Sequence, residues 1–292
     1  MKKILVPLDG SELSEKVLSH VETLAKKSGA EVILLRVVPF TWPNEFLHVR
    51  EMGNKLDKEA SDYLFAINAQ LEEKGIKGEC RVHEGSVPEV ICDLAREREV
   101  DLIAMTTHGR GGVKRWALGS VADKVIQTSP VHVLLCRISE KEMAPTNYKN
   151  ILIPVDGSHF SEGTFPQVKY LMELFESKVW FLYVVDTHLA ESFTVIKKSI
   201  MGKEEALRRK IKDYFTTFEK RLKKTGATNY EIVVREGLPA ETISDFAEEL
   251  EIDLIAMSTH GRGGIARWAL GSVTNKVVQI SSNPVLLIRA KK

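Results

Sequence analysis

Cysteine is scarce in this chain: three in 292 residues, and Cys80, Cys92 and Cys136 make neither a Cys-x-x-Cys pair nor a cluster with histidine. That excludes a disulfide framework and the common zinc spacings, and leaves buried free thiols in a reducing compartment. An excess of one charge is missing too, because 41 Lys and Arg face 40 Asp and Glu for a formal net charge of +1. Without a positive field, nonspecific attraction to nucleic acid or to an anionic membrane has no driving force, and neither is expected as a partner. Long apolar runs are absent as well. The stretch Met1-Lys2-Lys3-Ile4-Leu5-Val6-Pro7-Leu8-Asp9 reaches an acidic residue and a turn too early for a signal-peptide core or a membrane span, so a cytoplasmic protein is expected.

Several catalytic signatures are missing. The turn after the first apolar run, Asp9-Gly10-Ser11, holds one glycine where a dinucleotide fingerprint needs Gly-x-Gly-x-x-Gly. Met201-Gly202-Lys203 lacks the rest of a P-loop, and neither His-Glu-x-x-His nor Gly-x-Ser-x-Gly occurs. What remains is a composition of 43% hydrophobic and 28% charged residues, that of a globular chain able to bury a core. Its length suits two domains of roughly 100–200 residues each.

The chain repeats itself. Ile4-Leu-Val-Pro-Leu-Asp-Gly-Ser11 returns as Ile151-Leu-Ile-Pro-Val-Asp-Gly-Ser158, 147 residues on. Asp101-Leu-Ile-Ala-Met-Thr-Thr-His-Gly-Arg-Gly-Gly112 returns as Asp253-Leu-Ile-Ala-Met-Ser-Thr-His-Gly-Arg-Gly-Gly264, 152 residues on, so the second copy carries about five more residues. A period of this size is a duplicated domain and not a solenoid. The polar, breaker-rich stretch around Ala144-Pro145-Thr146 reads as the linker, giving domains over 1–138 and 149–292 with 139–148 between them.

Within each copy, short unbroken runs rich in Ile, Val and Leu alternate with longer stretches of helical periodicity. The runs Ile4–Leu8, Glu31–Val38, Asp101–Met105 and Val131–Cys136 predict parallel strands buried on both faces, with a weaker fifth at Glu79–His83. Ile151–Val155, Val179–Val185, Glu231–Arg235, Asp253–Met257 and Val285–Arg289 repeat them. Apolar spacing such as Val17, Val21, Leu24 and Ala25 predicts the intervening helices. This is an α/β fold with right-handed crossovers.

Ligands of open α/β sheets bind beyond the carboxyl ends of the strands, so the residues there carry the candidates. After the fourth run come Thr106, Thr107 and His108, then Gly109-Arg110-Gly111-Gly112, and later Gly119-Ser120-Val121 opening a helix. The second copy has Ser258, Thr259 and His260, then Gly261-Arg262-Gly263-Gly264, and later Gly271-Ser272-Val273. Glycines let the backbone approach an anion, and free N–H groups at a helix start point at it with the macrodipole behind them. Ser120 with Asp123, and Ser272 with Asn275, also fit a helix cap, and a serine can serve both roles. Asp9 and Asp156 end buried strands, where a carboxylate meets ribose hydroxyls or closes a turn. His108 and His260 have no nucleophile or carboxylate partner in the pattern and read as loop-ordering groups. Trp116 and Trp268, beside Arg115 and Arg267, read as packing with cation–π neighbours.

These residues resemble the nucleotide loop of the universal stress protein family, Gly-x2-Gly-x9-Gly-[Ser/Thr]. Gly109 is followed by nine residues and Gly119-Ser120, and Gly261 by nine and Gly271-Ser272. The first glycine of the motif is replaced by Thr106 and Ser258, whose Cβ atoms narrow the space near the phosphates. The resemblance covers nearly all of both halves. It implies two tandem domains, each a five-stranded parallel sheet of order 3-2-1-4-5 flanked by helices. It implies ATP, or ADP or AMP, with or without Mg2+, between the first and fourth strands. Asp9 and Asp156 would meet the ribose, and the backbone at Val37 and Val184 the adenine. The phosphates would fall to Gly109, Gly119, Ser120 and Val121 and to Gly261, Gly271, Ser272 and Val273. The last strands would join the halves into a pseudo-dimer, which leaves a homodimer of whole chains open.

The resulting expectation is an adenine-nucleotide-binding, stress-response regulatory module. With no general base or arginine finger in the pattern, no catalytic residue and no metal ligand is assigned, and ATP hydrolysis is expected to be slow at most. An ATPase or phosphotransferase, and an interaction module without nucleotide, are the rival readings. The unequal stretches Pro39–Asp62 and Asp186–Glu205 read as lids that could set the two sites apart.

Overall fold

The computed structural model describes residues 1–38, 47–107, 118–137, 147–158, 164–186, 200–259 and 270–289. In the first half the order is β1 (Lys3–Pro7), α1 (Glu12–Glu15), α2 (Leu18–Ser28), β2 (Glu31–Val38), α3 (Leu47–Glu73) and β3 (Gly78–Glu84). It continues with α4 (Val87–Glu97), β4 (Leu102–Thr106), α5 (Ser120–Thr128) and β5 (His132–Cys136). The second half runs β6 (Asn150–Val155), α6 (Phe165–Phe175), β7 (Lys178–Asp186), α7 (Ile200–Thr225) and β8 (Tyr230–Gly237). It ends with α8 (Pro239–Glu249), β9 (Leu254–Ser258), α9 (Ser272–Ile280) and β10 (Val285–Ile288).

The strands were legible because they are buried on both faces. In β1, Ile4, Leu5 and Val6 have no exposed surface; Ile4 and Val6 pack into one apolar cluster and Leu5 into the other. The first cluster lies under α2, α3, α6 and α7, the second under α4, α5, α8 and α9. The weak run at Glu79–His83 is β3, an edge strand that is half-exposed along its length, which is why its apolar pattern is diluted.

All ten strands form one sheet, in the order β3-β2-β1-β4-β5-β10-β9-β6-β7-β8. Each half has the expected order 3-2-1-4-5 with parallel pairing, and the halves meet through an antiparallel contact of β5 with β10, Leu286 facing Leu134. Reciprocal arginines reinforce the seam. Arg137 donates to the carbonyls of Gln279 at 2.8 Å and Ser281 at 3.2 Å, and Arg289 donates to the carbonyl of Ile126. Each cation thus meets the negative end of a helix in the other half.

Tyr148 falls in the stretch read as linker, yet it is fully buried. Its hydroxyl lies 2.8 Å from Nδ1 of His20 in α2, and its ring meets Phe175 edge-on at 5.1 Å. Burial pushes the phenol well up and holds His20 down at about 4, so a protonated phenol and a neutral imidazole share this hydrogen bond. Breaker-rich composition marks where the chain leaves one half but does not show where the next core begins. Of the two stretches read as lids, residues 39–46 and 187–199 lie outside the described residues. The rest is mostly the first turns of the long helices α3 and α7.

Candidate functional site

The crossover from β1 leads to α2 on one face of the sheet, and the connection from β4 leads to α5 on the other. The carboxyl ends of these adjacent strands therefore border the crevice of a topological switch point. Asp9 stands at one lip. Its Oδ1 accepts from the backbone N of Ser11 at 3.0 Å and from the Ser11 hydroxyl at 2.5 Å, around Gly10 at φ 76°. Asp156 repeats this with Ser158 at 2.9 and 2.6 Å, around Gly157 at φ 80°. The turn reading of these aspartates is thus realised, by one oxygen in each. The Ser11 hydroxyl also accepts from the Ser14 backbone N at 3.2 Å and so caps α1.

The other lip is the start of α5. Gly119 is the N-cap (φ −63°, ψ 145°) and no side chain caps the helix. Ser120 is therefore the first helical residue, and the expected serine cap is displaced by one position. The capping box does not form either, since Asp123 accepts from Gln127 Nε2 at 3.0 Å instead. In α9 the cap is likewise Gly271, Ser272 is the first helical residue, and the helix has no side-chain cap. Glycine takes the cap because its N–H donates backwards to Thr107 O at 2.9 Å, as Gly271 does to Thr259 O at 3.0 Å. The N–H groups of the next three residues precede the first intrahelical bond, Asp123 N to Gly119 O at 2.9 Å. They form a positively polarised cluster with no side-chain acceptor among the described residues.

Thr107 and Thr259 went unread in the sequence. Thr107 N donates to Cys136 O at 3.1 Å and Thr259 N to Ile288 O at 3.3 Å, while their carbonyls receive the cap glycines. Each glycine-rich loop therefore leaves and rejoins the domain at one pinned point. The repeated pair of hydroxyl residues before His108 and His260 was the available signal. Thr106 is buried and Ser258 half-buried at the strand ends. Val37 and Val121 pack against one apolar cluster, as do Val184 and Val273, which puts the expected adenine and phosphate positions on one side of the sheet. Gly109, Arg110, Gly112, Gly261, Arg262 and Gly264 lie outside the described residues, as do His108, His260 and the tryptophan and arginine pairs that follow them. Among the described residues no group of three His, Cys, Asp or Glu could hold a metal ion, and no helix is long and apolar enough to cross a membrane.

The pattern of the universal stress protein family matches residues 1–137 and again 147–289. Universal stress protein MJ0531 of Methanocaldococcus jannaschii is 33% identical over 144 residues, 48% of this chain and 85% of its own. Universal stress protein YxiE of Bacillus subtilis is 32% identical over 148 residues, 46% of this chain and 98% of its own. The crystal structure of a universal stress protein from Archaeoglobus fulgidus superposes with a TM-score of 0.75 at 22% identity, covering 99% of this chain and 98% of that one. That last likeness concerns the fold alone, and it extends over both halves.

Proposed function

Since the chain belongs to the universal stress protein family, twice over, we propose that each half binds an adenine nucleotide, ATP before ADP or AMP, as a regulatory binding module of the stress response. The observation that carries this is the glycine-capped start of α5 and of α9. In both halves a helix opens with no side-chain cap, beside a switch-point crevice, at the end of a motif whose spacing repeats without change. An anion is what such a helix start lacks. The exposed Ser120 hydroxyl at the first helical position adds a donor there, and Asp9 and Asp156 stand across the crevice, held in place by their serines. The phosphates belong to Gly109, Gly119, Ser120 and Val121 and to their counterparts in the second half. The ribose belongs to the aspartates, the adenine to the backbone of Val37 and Val184. Mg2+ would arrive held by the phosphates. The two domains and the cytoplasmic placement follow from the same reading.

Titration calorimetry with ATP and with adenosine tests it. Neither serine caps its helix, so Ser120→Ala with Ser272→Ala should change folding stability by no more than about 0.5 kcal/mol. The same pair should weaken ATP roughly tenfold, as loss of a charge-assisted hydrogen bond does, and leave adenosine within about twofold. Equal weakening of both ligands, or no ATP binding by the unaltered protein, overturns the phosphate assignment. Phosphate release from ATP above the level of a Gly119→Ala, Gly271→Ala control would favour the hydrolytic rival.

A further inference from the structure

The duplicated long helices carry opposite charge. Asp62-Tyr63 of α3 returns 151 residues on as Asp213-Tyr214 of α7, and the same offset relates buried Ile67 to Phe218, Leu71 to Leu222 and Gly75 to Gly226. With the inner faces in register, the outer faces compare position by position. Over residues 58–73 one lysine stands against four acidic residues; over 209–224 seven lysines and arginines stand against two. The change is sharpest near the helix ends. There Ala69, Gln70, Glu72 and Glu73 become Lys220, Arg221, Lys223 and Lys224, all eight exposed.

The acidic face also carries the most exposed large apolar side chain among the described residues. Phe65 is 61% exposed, one turn before Ala69 and two before Glu72 and Glu73, so the four share one stripe. Its counterpart in α7 is Thr216, one turn before Lys220 and two before Lys223 and Lys224. Little inside the chain satisfies these charges. Glu72 accepts from Asn68 at 2.7 Å, and Lys223 meets Glu219 at 3.9 Å in an exposed pair worth little. Glu73, Lys220 and Lys224 form no ion pair among the described residues. Nor do the two stripes reach each other, because α3 packs over β2 and β3, and α7 over Phe181 of β7. β2 and β7 are seven strand spacings apart, roughly 34 Å, which is several Debye lengths at physiological salt. Only another molecule brings an acidic stripe to a basic one, and a second copy offers both.

We propose that copies of this chain associate through these helices, the α3 stripe of one on the α7 stripe of the next. Opposite charge sets the pairing, and like-charged contacts, α3 on α3 or α7 on α7, are disfavoured by repulsion. Phe65 is the apolar anchor, on which the aliphatic stem of a lysine such as Lys220 lies with its ammonium near the ring. The formal net charge of +1 leaves no long-range repulsion between copies. The contact is heterologous, so two made reciprocally close a dimer and single ones repeated build a longer assembly.

Sedimentation equilibrium of the full chain, without nucleotide, tests this. At about 0.1 M salt and up to about 100 μM protein the mass should exceed that of one chain, and at about 1 M salt the dissociation constant should rise at least tenfold. Glu72→Lys with Glu73→Lys makes both stripes basic; Lys220→Glu with Lys223→Glu and Lys224→Glu makes both acidic. Each variant alone should be monomeric, and an equimolar mixture should recover the association, which also shows that both are folded. Phe65→Ser should weaken the unaltered contact about tenfold. A monomeric unaltered chain, association indifferent to salt or to reversal, or a mixture that stays monomeric overturns the proposal. Unchanged affinity in Phe65→Ser overturns the anchor. No residue of the nucleotide crevices takes part, so the outcome is independent of that reading.

Discussion

Leu34 lies buried in β2, and 147 residues later Phe181 holds the same place in β7; Leu18 and Phe165 are related in the same way. The first half builds this layer from aliphatic side chains, with Leu64, Ile67 and Leu71 of α3 closing over the sheet. The second half builds it from rings. Phe218 of α7 meets Phe165 and Phe181 edge-on, each at 5.0 Å, and Tyr214 and Phe215 extend the cluster toward Tyr183. Strand order and helix placement are the same in both. The contrast teaches that the apolar pattern and approximate volume specify this fold, while side-chain shape decides only how each core is filled.

The hardest test of that contrast is truncation. Phe218 has no exposed surface, so Phe218→Ala should cost about 3–5 kcal/mol, and Leu64→Ala about 2–5 kcal/mol. Rings cannot collapse into a hole as flexible aliphatic chains can, so the second half should lose more. Urea unfolding of both variants checks this, and a larger loss at Leu64 would contradict the aromatic layer as the less forgiving one.

A second test uses acid. His20 is held near 4 by burial, its hydroxyl partner is Tyr148, and Tyr148 in turn lies near Cys136 and Asp253, with Cys136 itself pushed up as a thiol by burial. The folded value of His20 lies below its ordinary 6.5, so the neutral ring contributes fully above about pH 6.5. That contribution declines as pH falls toward about 4, by on the order of 3 kcal/mol in all. His20→Gln copies the second half's Gln167 into the first and should flatten this acid branch when unfolding midpoints at pH 7 and pH 4.5 are compared. An equally steep decline in the variant would assign the acid sensitivity to another group.

The smallest effect concerns a helix end. α2 stops at Gly29 with φ 70°, and α6 stops at Glu176 with φ 55°, the same left-handed cap with a side chain that disfavours it. Glu176→Gly should raise stability by about 0.5–1 kcal/mol, read as a shift in the thermal midpoint. Gly29→Glu should lower it by a similar amount. A loss of stability in Glu176→Gly would mean that its side-chain contact with Lys149, 3.9 Å away and well exposed, outweighs the backbone strain.

The legible parts were those in which neighbours along the chain share one physical task. Doubly buried strands need unbroken apolar runs, so the eight inner strands were plain and β3, at an edge, was faint. The glycine-rich loop stood out because such spacing suits a backbone cradle, and most of it lies outside the described residues. The cap of α5 was misplaced by one residue because glycine and serine are both good caps, and a hydrogen bond to Thr107, twelve residues back, chose between them. Tyr148 was assigned to the linker because nothing local shows that His20, 128 residues away, would meet it.

By itself, then, the sequence determined the duplicated α/β architecture, because buried strands and amphipathic helices are written in periodicity within each copy, while the sheet order followed from the family resemblance. The tertiary structure decided what depends on two copies meeting: the antiparallel seam, the arginines crossing it and the buried Tyr148–His20 pair. Such features arise from contacts between residues more than a hundred positions apart, whose relation is set by how two finished sheets dock rather than by any local rule of the chain.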